Sequence, residues 1–306
     1  MKKKISYLLF IAATVIWGLA FVAQKNATTI PPFAVGALRS GLAIIFLILV
    51  IPITDRIYKN GRHLLTKKRI PDITKKELIG GAVLGVILTV ASAFQQYGLA
   101  DTDAGKAAFI TALYVVIVPI ISSLLGKRPS VLAVISIPIA IVGFYLLCVQ
   151  DGVTFVTSDL LILVCAVIFA SHIISVDRLS PGCDGVRMSL VQFTVSFLLN
   201  GIISLLIEQT TPEAIWAVMP SLLFLGIGSS GIAYTLQILG QKEADPTISS
   251  VILSLESVFG VIGGALLLGE SLSEREYLGC AIVFLAVILA QLEPQAIKKL
   301  IKSIRG

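Results

Sequence analysis

The chain has 306 residues, of which 56% are hydrophobic and only 14% are charged, and its mean hydropathy is +0.95. A water-soluble domain needs far more polar surface than this to cover its exterior. The net charge of +6 does not indicate nucleic-acid binding, because the basic residues lie in short loops between apolar runs rather than on one surface. The composition therefore predicts an all-α membrane protein and excludes a soluble enzyme.

Apolar runs recur along the chain, each near the roughly 20 residues that span a hydrocarbon core. The first five predicted spans are Ile5–Ala23, Phe33–Ile53, Leu78–Leu99, Ala107–Leu125 and Val131–Val149. The second five are Leu160–Val176, Met188–Ile207, Met219–Leu239, Thr247–Leu268 and Arg275–Leu292. The first run follows three lysines, as in a signal peptide, but its length and its counterpart in the second half favour a transmembrane helix.

Lysine and arginine are distributed unequally between alternate loops. If the N-terminus is cytoplasmic, that side receives the basic loop of residues 52–76 and the basic tail of residues 293–306. The opposite side receives only Lys25, Lys106 and Arg275. Because cytoplasmic loops carry the basic excess, the pattern predicts a multi-pass plasma-membrane protein with both termini in the cytoplasm.

The two halves of the chain, residues 5–149 and 158–292, resemble each other. The aligned pairs are Trp17-Gly18 with Phe169-Ala170, Gly98–Asp103 with Gly240–Asp245, and Leu113-Tyr114 with Glu256-Ser257. Each half holds five spans, an odd number, so the second half must enter the membrane in the opposite orientation. The sequence thus predicts ten transmembrane helices in an inverted five-plus-five repeat. Such repeats have a substrate site near the midplane, where the halves meet.

Several features together resemble the EamA-type transporters of the drug/metabolite transporter superfamily. They are the five-plus-five spans, Trp17-Gly18 in the first span, Arg39 near the outer end of the second, and Gly269-Glu270-Ser271-Leu272-Ser273 after the ninth. The resemblance covers nearly the whole chain and implies a ten-helix exporter or exchanger of small metabolites, often amino acids or drugs. The family often has Glu-Pro in its ninth helix, whereas this chain has Glu256-Ser257. A proline kink is therefore not available there.

Polar side chains at membrane depth are the candidate substrate-binding residues, because each is costly there without a partner or a purpose. They are Trp17, Arg39, Gln95, Tyr114, His172, Gln192, Tyr234 and Glu256. Glu256 either couples transport to a proton or cation, or bonds the backbone at a helix break. Arg39 either binds an anionic group of the substrate, pairs with Glu256, or extends to the outer interface. For the others, core packing or interhelical hydrogen bonding is the alternative.

The sequence predicts a secondary transporter that exports small metabolites, such as amino acids, related compounds or drugs, by alternating access. No ATP-binding motif, metal-ligand spacing or cofactor signature occurs. The expected partners are the lipid bilayer and a small-molecule substrate; coupling to a proton or ion and a homodimer are both compatible with the sequence.

Two alternatives differ in class. One is a translocase for lipids or amphiphiles, for which a cavity open sideways to lipid is expected. The other is an intramembrane serine protease, since Gly228-Ser229-Ser230-Gly231 matches a GxSG nucleophile pattern. That chemistry needs a histidine within hydrogen-bond reach of the serine, and His172 is the only histidine in the predicted spans. An enzyme is not expected.

Overall fold

The structure is a computed structural model that describes residues 2–59, 73–102, 104–148, 157–268 and 273–291. Within these ranges every regular element is helical, as predicted. The first half contains α1 (Lys2–Asn26), a 3-10 turn (Ala27–Thr29), α2 (Pro32–Lys59), α3 (Lys75–Asp101), α4 (Ala104–Ala112), α5 (Tyr114–Leu124) and α6 (Val131–Cys148). The second half contains α7 (Thr157–Leu179), α8 (Gly185–Ile207), α9 (Pro212–Ala217), α10 (Met219–Leu223), a π-helical segment (Phe224–Ala233), α11 (Tyr234–Gln241), α12 (Pro246–Leu253), α13 (Glu256–Leu268) and α14 (Glu274–Gln291).

Eight segments in the described ranges are long and apolar enough to cross a membrane. They are Lys4–Thr29, Pro32–Arg56, Lys75–Asp101, Ala104–Leu124, Thr157–Leu179, Gly185–Ile207, Met219–Gln241 and Pro246–Leu267. The predicted fifth and tenth spans correspond to shorter apolar helices, Val131–Gly143 and Tyr277–Leu289. Large apolar side chains cover the exterior, with Leu205 87% and Leu124 82% exposed. Such a surface is suited to lipid rather than water.

Side-chain caps define where two central helices begin. At the start of α3, Thr74 Oγ1 accepts from Glu77 N, and Glu77 Oε2 accepts from Thr74 N at 2.8 Å. This reciprocal capping box satisfies two N–H groups that the helix itself leaves unpaired. Asp184 caps α8 by accepting from Val186 N and Arg187 N. Glu77 Oε1 also accepts from Asp184 N at 2.7 Å, so the two helix starts are joined.

The antiparallel pair α2 and α8 is tied at both ends. At one end Arg187 Nη2 lies 2.8 Å from Asp55 Oδ2, near the end of α2. At the other end Glu208, which follows α8, accepts hydrogen bonds from Phe33 N and Ala34 N at 2.9 and 2.8 Å. A carboxylate is favourable there because the first turn of a helix carries partial positive charge.

The fourth, eighth and ninth spans are present but are not single regular α-helices. The fourth divides into α4 and α5 at Leu113, where Leu113 N donates to Ile110 O at 3.2 Å. The ninth divides into α12 and α13, where Leu255 N donates to Ile252 O at 3.1 Å. Both bonds close three-residue turns, which are tighter than an α-helical turn. Neither break contains proline or glycine, so the local sequence carries no signal for them.

In the eighth span the helical turn is wider, not tighter, than that of an α-helix. Between α10 and α11 the π-helical segment closes with Tyr234 N donating to Ser229 O, five residues earlier. Three glycines lie in this segment, and a Cβ on Gly231 would come within 2.6 Å of Phe46 Cδ1 in α2. Wide turns of this kind occur often at functional sites.

Glycines allow the closest helix crossings. A Cβ on Gly18 in α1 would lie 2.6 Å from Phe259 C and 2.7 Å from Gly260 N of α13. Two further contacts occur at aligned positions of the two halves: Gly98 of α3 packs against Ile162 of α7, and Gly240 of α11 packs against Phe10 of α1. The helices of one half are therefore interleaved with those of the other.

Helix α6 packs chiefly against α14. Their backbones approach closely at Gly143, where a Cβ would lie 2.9 Å from Val283 N and 3.0 Å from Gly279 O. The pair joins the helices around the central cavity through α12, which contacts both members, and through contacts of α6 with α4, α5 and α13.

Candidate functional site

A central cavity lies between the two halves. Seven of the eight candidate residues line it: Trp17, Arg39, Gln95, Tyr114, His172, Tyr234 and Glu256. The other lining residues are Ala20, Phe21, Gln24, Thr111, Phe169, Ile173, Ser229, Gln237 and Leu253. The two breaks, α4–α5 and α12–α13, and the π-helical segment all reach this cavity, and the rest of its wall comes from regular parts of α1, α2, α3, α7 and α11.

Gln192, the eighth candidate, lies behind the cavity wall. Its Oε1 is 3.1 Å from His172 Nε2, and both side chains are fully buried. Gln192 therefore orients the imidazole ring rather than facing the cavity itself.

An aromatic cluster around Tyr234 forms one side of the cavity. The rings of Tyr234 and Trp17 meet edge to face with centroids 4.7 Å apart, and the rings of His172 and Phe193 each lie 5.8 Å away. Trp17 Nε1 donates to Ser229 O at 3.3 Å. The indole is thus anchored to the π-helical segment, and the cluster offers a rigid surface for an apolar or aromatic group.

Arg39 turns inward and does not reach the outer interface. Its side chain is only 7% exposed. Nε donates to Ser230 Oγ at 2.9 Å, and Nη2 donates to Ser229 Oγ at 3.0 Å. Arg39 does not pair with Glu256, and among the described residues no carboxylate lies within ion-pair distance of it.

The same serines bear on the protease alternative. Ser229 and Ser230 accept hydrogen bonds from Arg39, whereas His172 Nε2 is engaged by Gln192. The serine–histidine hydrogen bond that activates such a nucleophile is not formed in the part of the chain that the structure describes. These residues instead form a polar anchor between α2 and the π-helical segment.

Glu256 is the first residue of α13 and is 5% exposed. The hydroxyl of Tyr114, the first residue of α5, is its neighbour across the cavity. The Tyr114 hydroxyl and the Glu256 carboxyl lie within hydrogen-bonding reach of each other. Next to them Ser257 Oγ donates to Ala108 O at 3.1 Å, which joins the two broken helices beside their breaks.

Several polar atoms in the cavity wall have no hydrogen-bond partner in the described ranges. They are Gln24 Oε1, His172 Nδ1 and Gln237 Oε1. A buried polar group left unpaired costs about 1–3 kcal/mol, so such groups rarely cluster without a purpose. A polar solute in the cavity would satisfy them. No group of three or more His, Cys, Asp or Glu among these described residues could hold a metal ion.

The candidate list omitted Gln24, Thr111, Phe169, Ser229 and Gln237. Two signals point to some of them. Gln24 lies on the same helical face as Trp17, seven residues earlier, with Ala20 and Phe21 between them. Phe169 aligns with Trp17, and Gln237 aligns with Gln95 at the offset that relates Gly98 to Gly240. The alignment of the two halves therefore identifies cavity residues that a search for single polar residues misses.

The apolar exterior, the spanning helices and the enclosed polar cavity define a multi-pass membrane protein with an internal solute-sized site. The model of the EamA-like transporter family matches residues 4–149 and 156–292. The chain belongs to this family, and the predicted resemblance is confirmed. It is accordingly a membrane transporter of the drug/metabolite superfamily.

Relatives agree with this assignment. The chain is 29% identical over 282 residues to an uncharacterised transporter of Archaeoglobus fulgidus, an alignment that covers 90% of this chain and 82% of the relative. A shorter match to an uncharacterised transporter of Haemophilus influenzae is 46% identical over 52 residues, covering 17% of this chain and 31% of the relative. One crystal structure superposes with a TM-score of 0.71 at 18% identity, covering 95% of this chain and 98% of that chain. The last likeness concerns the fold alone.

Proposed function

We propose that this protein is a secondary transporter that exports small polar metabolites from the cytoplasm by alternating access. The observation that carries the proposal is the set of unpaired, buried polar atoms that face one cavity between the halves. A stable core would pair these atoms, whereas a site that must bind and release a solute leaves them for the solute. We place the protein in the plasma membrane with both termini cytoplasmic, because the basic loops favour that orientation.

The matched details of the two halves support an inverted repeat of ten helices, residues 5–149 and 158–292. Both halves have a helix broken at nearly the same aligned position, at Leu113 in one and just before Glu256 in the other. Both also bring a glycine against the opposite half, Gly98 against Ile162 and Gly240 against Phe10. In such repeats the substrate site lies where the halves meet, and access alternates as one half rocks against the other.

Glu256 is the coupling residue in this mechanism. It is the acidic side chain of the cavity wall, and it lies at the break between α12 and α13, where a change of helix direction would move it. Binding of a proton or a cation there would alter the charge of the site and shift the balance between its inward-open and outward-open forms. Active export would then use an ion gradient.

The test is uptake of a mixed pool of labelled amino acids and small metabolites into proteoliposomes, with and without an imposed pH gradient. Ala20→Trp fills the cavity, since Ala20 lines it and is 1% exposed, and should abolish accumulation. Leu8→Trp is the matched control on the lipid face, where Leu8 is 65% exposed, and should transport like the parent. Equal accumulation by the parent and Ala20→Trp would contradict the proposal.

A labelled phospholipid in the same pool addresses the translocase alternative. An amphiphile would need a path open to lipid, and the apolar groove between α5 and α6 is lined by Val116, Pro119, Ile120, Val134 and Pro138 among others. That groove shares no residue with the polar cavity. Transfer of the phospholipid that is insensitive to Ala20→Trp would favour the alternative.

A further inference from the structure

The buried guanidinium of Arg39 is a fixed positive charge at one end of the central cavity. Its two hydrogen-bond partners, Ser229 Oγ and Ser230 Oγ, are neutral. Within the described ranges no acidic side chain is close enough to form an ion pair with it. Charges removed from water are normally paired, so this arrangement lacks its anion.

The acidic residue of the cavity does not fill that role. Glu256 lies beside Tyr114, on the broken helices, whereas Arg39 lies against the π-helical segment. Tyr234 lies within electrostatic range of both Arg39 and Glu256. The two charged side chains therefore line one cavity, but they are held by different elements and do not form an ion pair.

Two small polar cavities meet at Arg39 from its other side. Ser40, Ser92, Ser196 and Asn200 contribute to the wall of one, and Gln96 contributes to the wall of the other. Both lie between α2, α3 and α8, and Arg39 lines both as well as the central cavity. Polar surroundings on this side keep the guanidinium charged while its remaining N–H donors stay available to the central cavity.

We propose that the transported solute carries a carboxylate that binds the Arg39 guanidinium, with Ser229 and Ser230 holding the guanidinium in place. The inference rests on the proposed transport function and names the substrate class for it. A guanidinium presents parallel N–H donors that match the two oxygens of a carboxylate. One buried cation balances one negative charge, which suits a carboxylate better than a phosphate, whose charge is about −1.5 to −2.

The other residues that line the cavity indicate which groups the remainder of such a solute carries. Trp17 and Phe169 offer aromatic surface, and Tyr234 lies beside the cationic end. Beyond them the unpaired acceptors Gln24 Oε1 and Gln237 Oε1 would take hydrogen-bond donors. The solute class is therefore a small organic acid with an apolar or aromatic body and a polar group beyond it.

The experiment compares acids with the corresponding amides, in which an uncharged carboxamide replaces the carboxylate, on the purified full chain. Phenylacetate and phenylacetamide, L-phenylalanine and L-phenylalaninamide, and hexanoate and hexanamide form three pairs that differ at the carboxyl group. Binding is measured as a concentration-dependent rise in Tm. We expect at least one acid to bind about tenfold or more tightly than its amide, the size of a hydrogen-bonded charge contact. If no acid binds better than its amide, the inference is wrong, and this comparison needs no variant.

Two substitutions, Arg39→Gln and Arg39→Lys, test whether the preference for the acid over its amide depends on Arg39. Arg39→Gln should remove the preference for the acid, whereas Arg39→Lys keeps the charge without the planar donor pair and should retain part of it. An acid preference that survives Arg39→Gln in correctly folded protein would overturn the assignment to Arg39.

The outcome also separates this inference from the proposed function. Accumulation of neutral or cationic solutes that Ala20→Trp abolishes would leave the transporter proposal standing and reject the carboxylate. Arg39-dependent binding of an acid without any transport would support the carboxylate site and reject the transporter proposal.

Discussion

The two broken helices, α4–α5 and α12–α13, share a tightened backbone turn but differ in the side chains that lie at it. Both spans tighten into a three-residue turn, at positions one residue apart in the alignment of the halves, and both present the residue that starts their second part to the central cavity. At the aligned site one half has Leu113 and the other has Glu256. The comparison teaches that the repeated architecture provides a break beside the cavity in each half, whereas the ionisable group has been placed in only one of them.

The largest expected effect tests that asymmetry directly. Glu256→Gln preserves shape and removes the ionisable group, so accumulation driven by a pH gradient should disappear. One coupled proton and a gradient of one pH unit sustain about a tenfold accumulation, which sets the size of the loss. Leu113→Gln, the matched change in the other half, should leave the gradient dependence intact. Uptake by Glu256→Gln equal to that of the parent from pH 5 to pH 9 would end the coupling role.

The two ends of α4–α5 differ in how they are fastened to α7. Near the start of α4, Lys106 Nζ lies 2.6 Å from Asp159 Oδ2, and Asp159 is fully buried. After α5, Lys127 pairs with Asp177, but the Lys127 side chain is 44% exposed. Lys106→Met should therefore lower the free energy of unfolding by about 3 kcal/mol, and Lys127→Met by about 1 kcal/mol or less. Chemical unfolding in detergent measures both; equal losses would contradict the difference in burial.

The crossing of α1 and α13 offers a smaller test. Gly18→Ala would force a Cβ against the backbone at Phe259 and Gly260, so we expect a loss of about 1–3 kcal/mol in the free energy of unfolding. Gly260→Ala is the control on the facing helix, because its Cβ would lie 3.5 Å from Ala108 Cβ, an ordinary contact. The control should change stability by less than about 0.5 kcal/mol. A tolerant Gly18→Ala would mean that the crossing is looser than described.

The smallest expected effect makes the two halves more alike. Trp17→Phe gives position 17 the residue of its aligned partner Phe169 and removes the hydrogen bond to Ser229 O. The expected loss is about 1 kcal/mol of unfolding free energy, the net worth of one hydrogen bond. Trp216→Phe, at a position 71% exposed, should be neutral in the same assay. Equal behaviour of the two variants would show that the indole N–H contributes nothing.

Hydropathy predicted the spans well, and of their interruptions only the one at Glu256 was raised, as an alternative interpretation of that residue. Hydropathy reports which segments prefer lipid, so most of the predicted spans have counterparts among the apolar helices, but it does not report backbone hydrogen bonding. The turns at Leu113 and Leu255 contain no proline or glycine and are held by tertiary contacts such as that of Ser257 with Ala108. Those contacts join residues far apart in the chain, which a local pattern does not reveal.

The candidate site was predicted in outline because polar residues are rare in lipid-facing helices. Seven of the eight named residues line one cavity, although their role in binding stays a prediction. Gln192 differs from the rest because helical periodicity does not tell a residue that faces a cavity from one that supports its neighbour. Apolar wall residues such as Phe169 carry no polarity signal, and only the alignment of the halves points to them.

The pairing of α6 with α14 has a consequence for biosynthesis. Helix α6 is synthesised in the middle of the chain, yet its main packing partner, α14, follows only after all the other described helices. During translation α6 must therefore wait in the bilayer with its Gly143 surface uncovered, and chains arrested before α14 should be preferred targets of membrane quality control. Formation of the contact between α6 and α14, rather than of the cavity, would then determine whether a newly synthesised molecule escapes degradation.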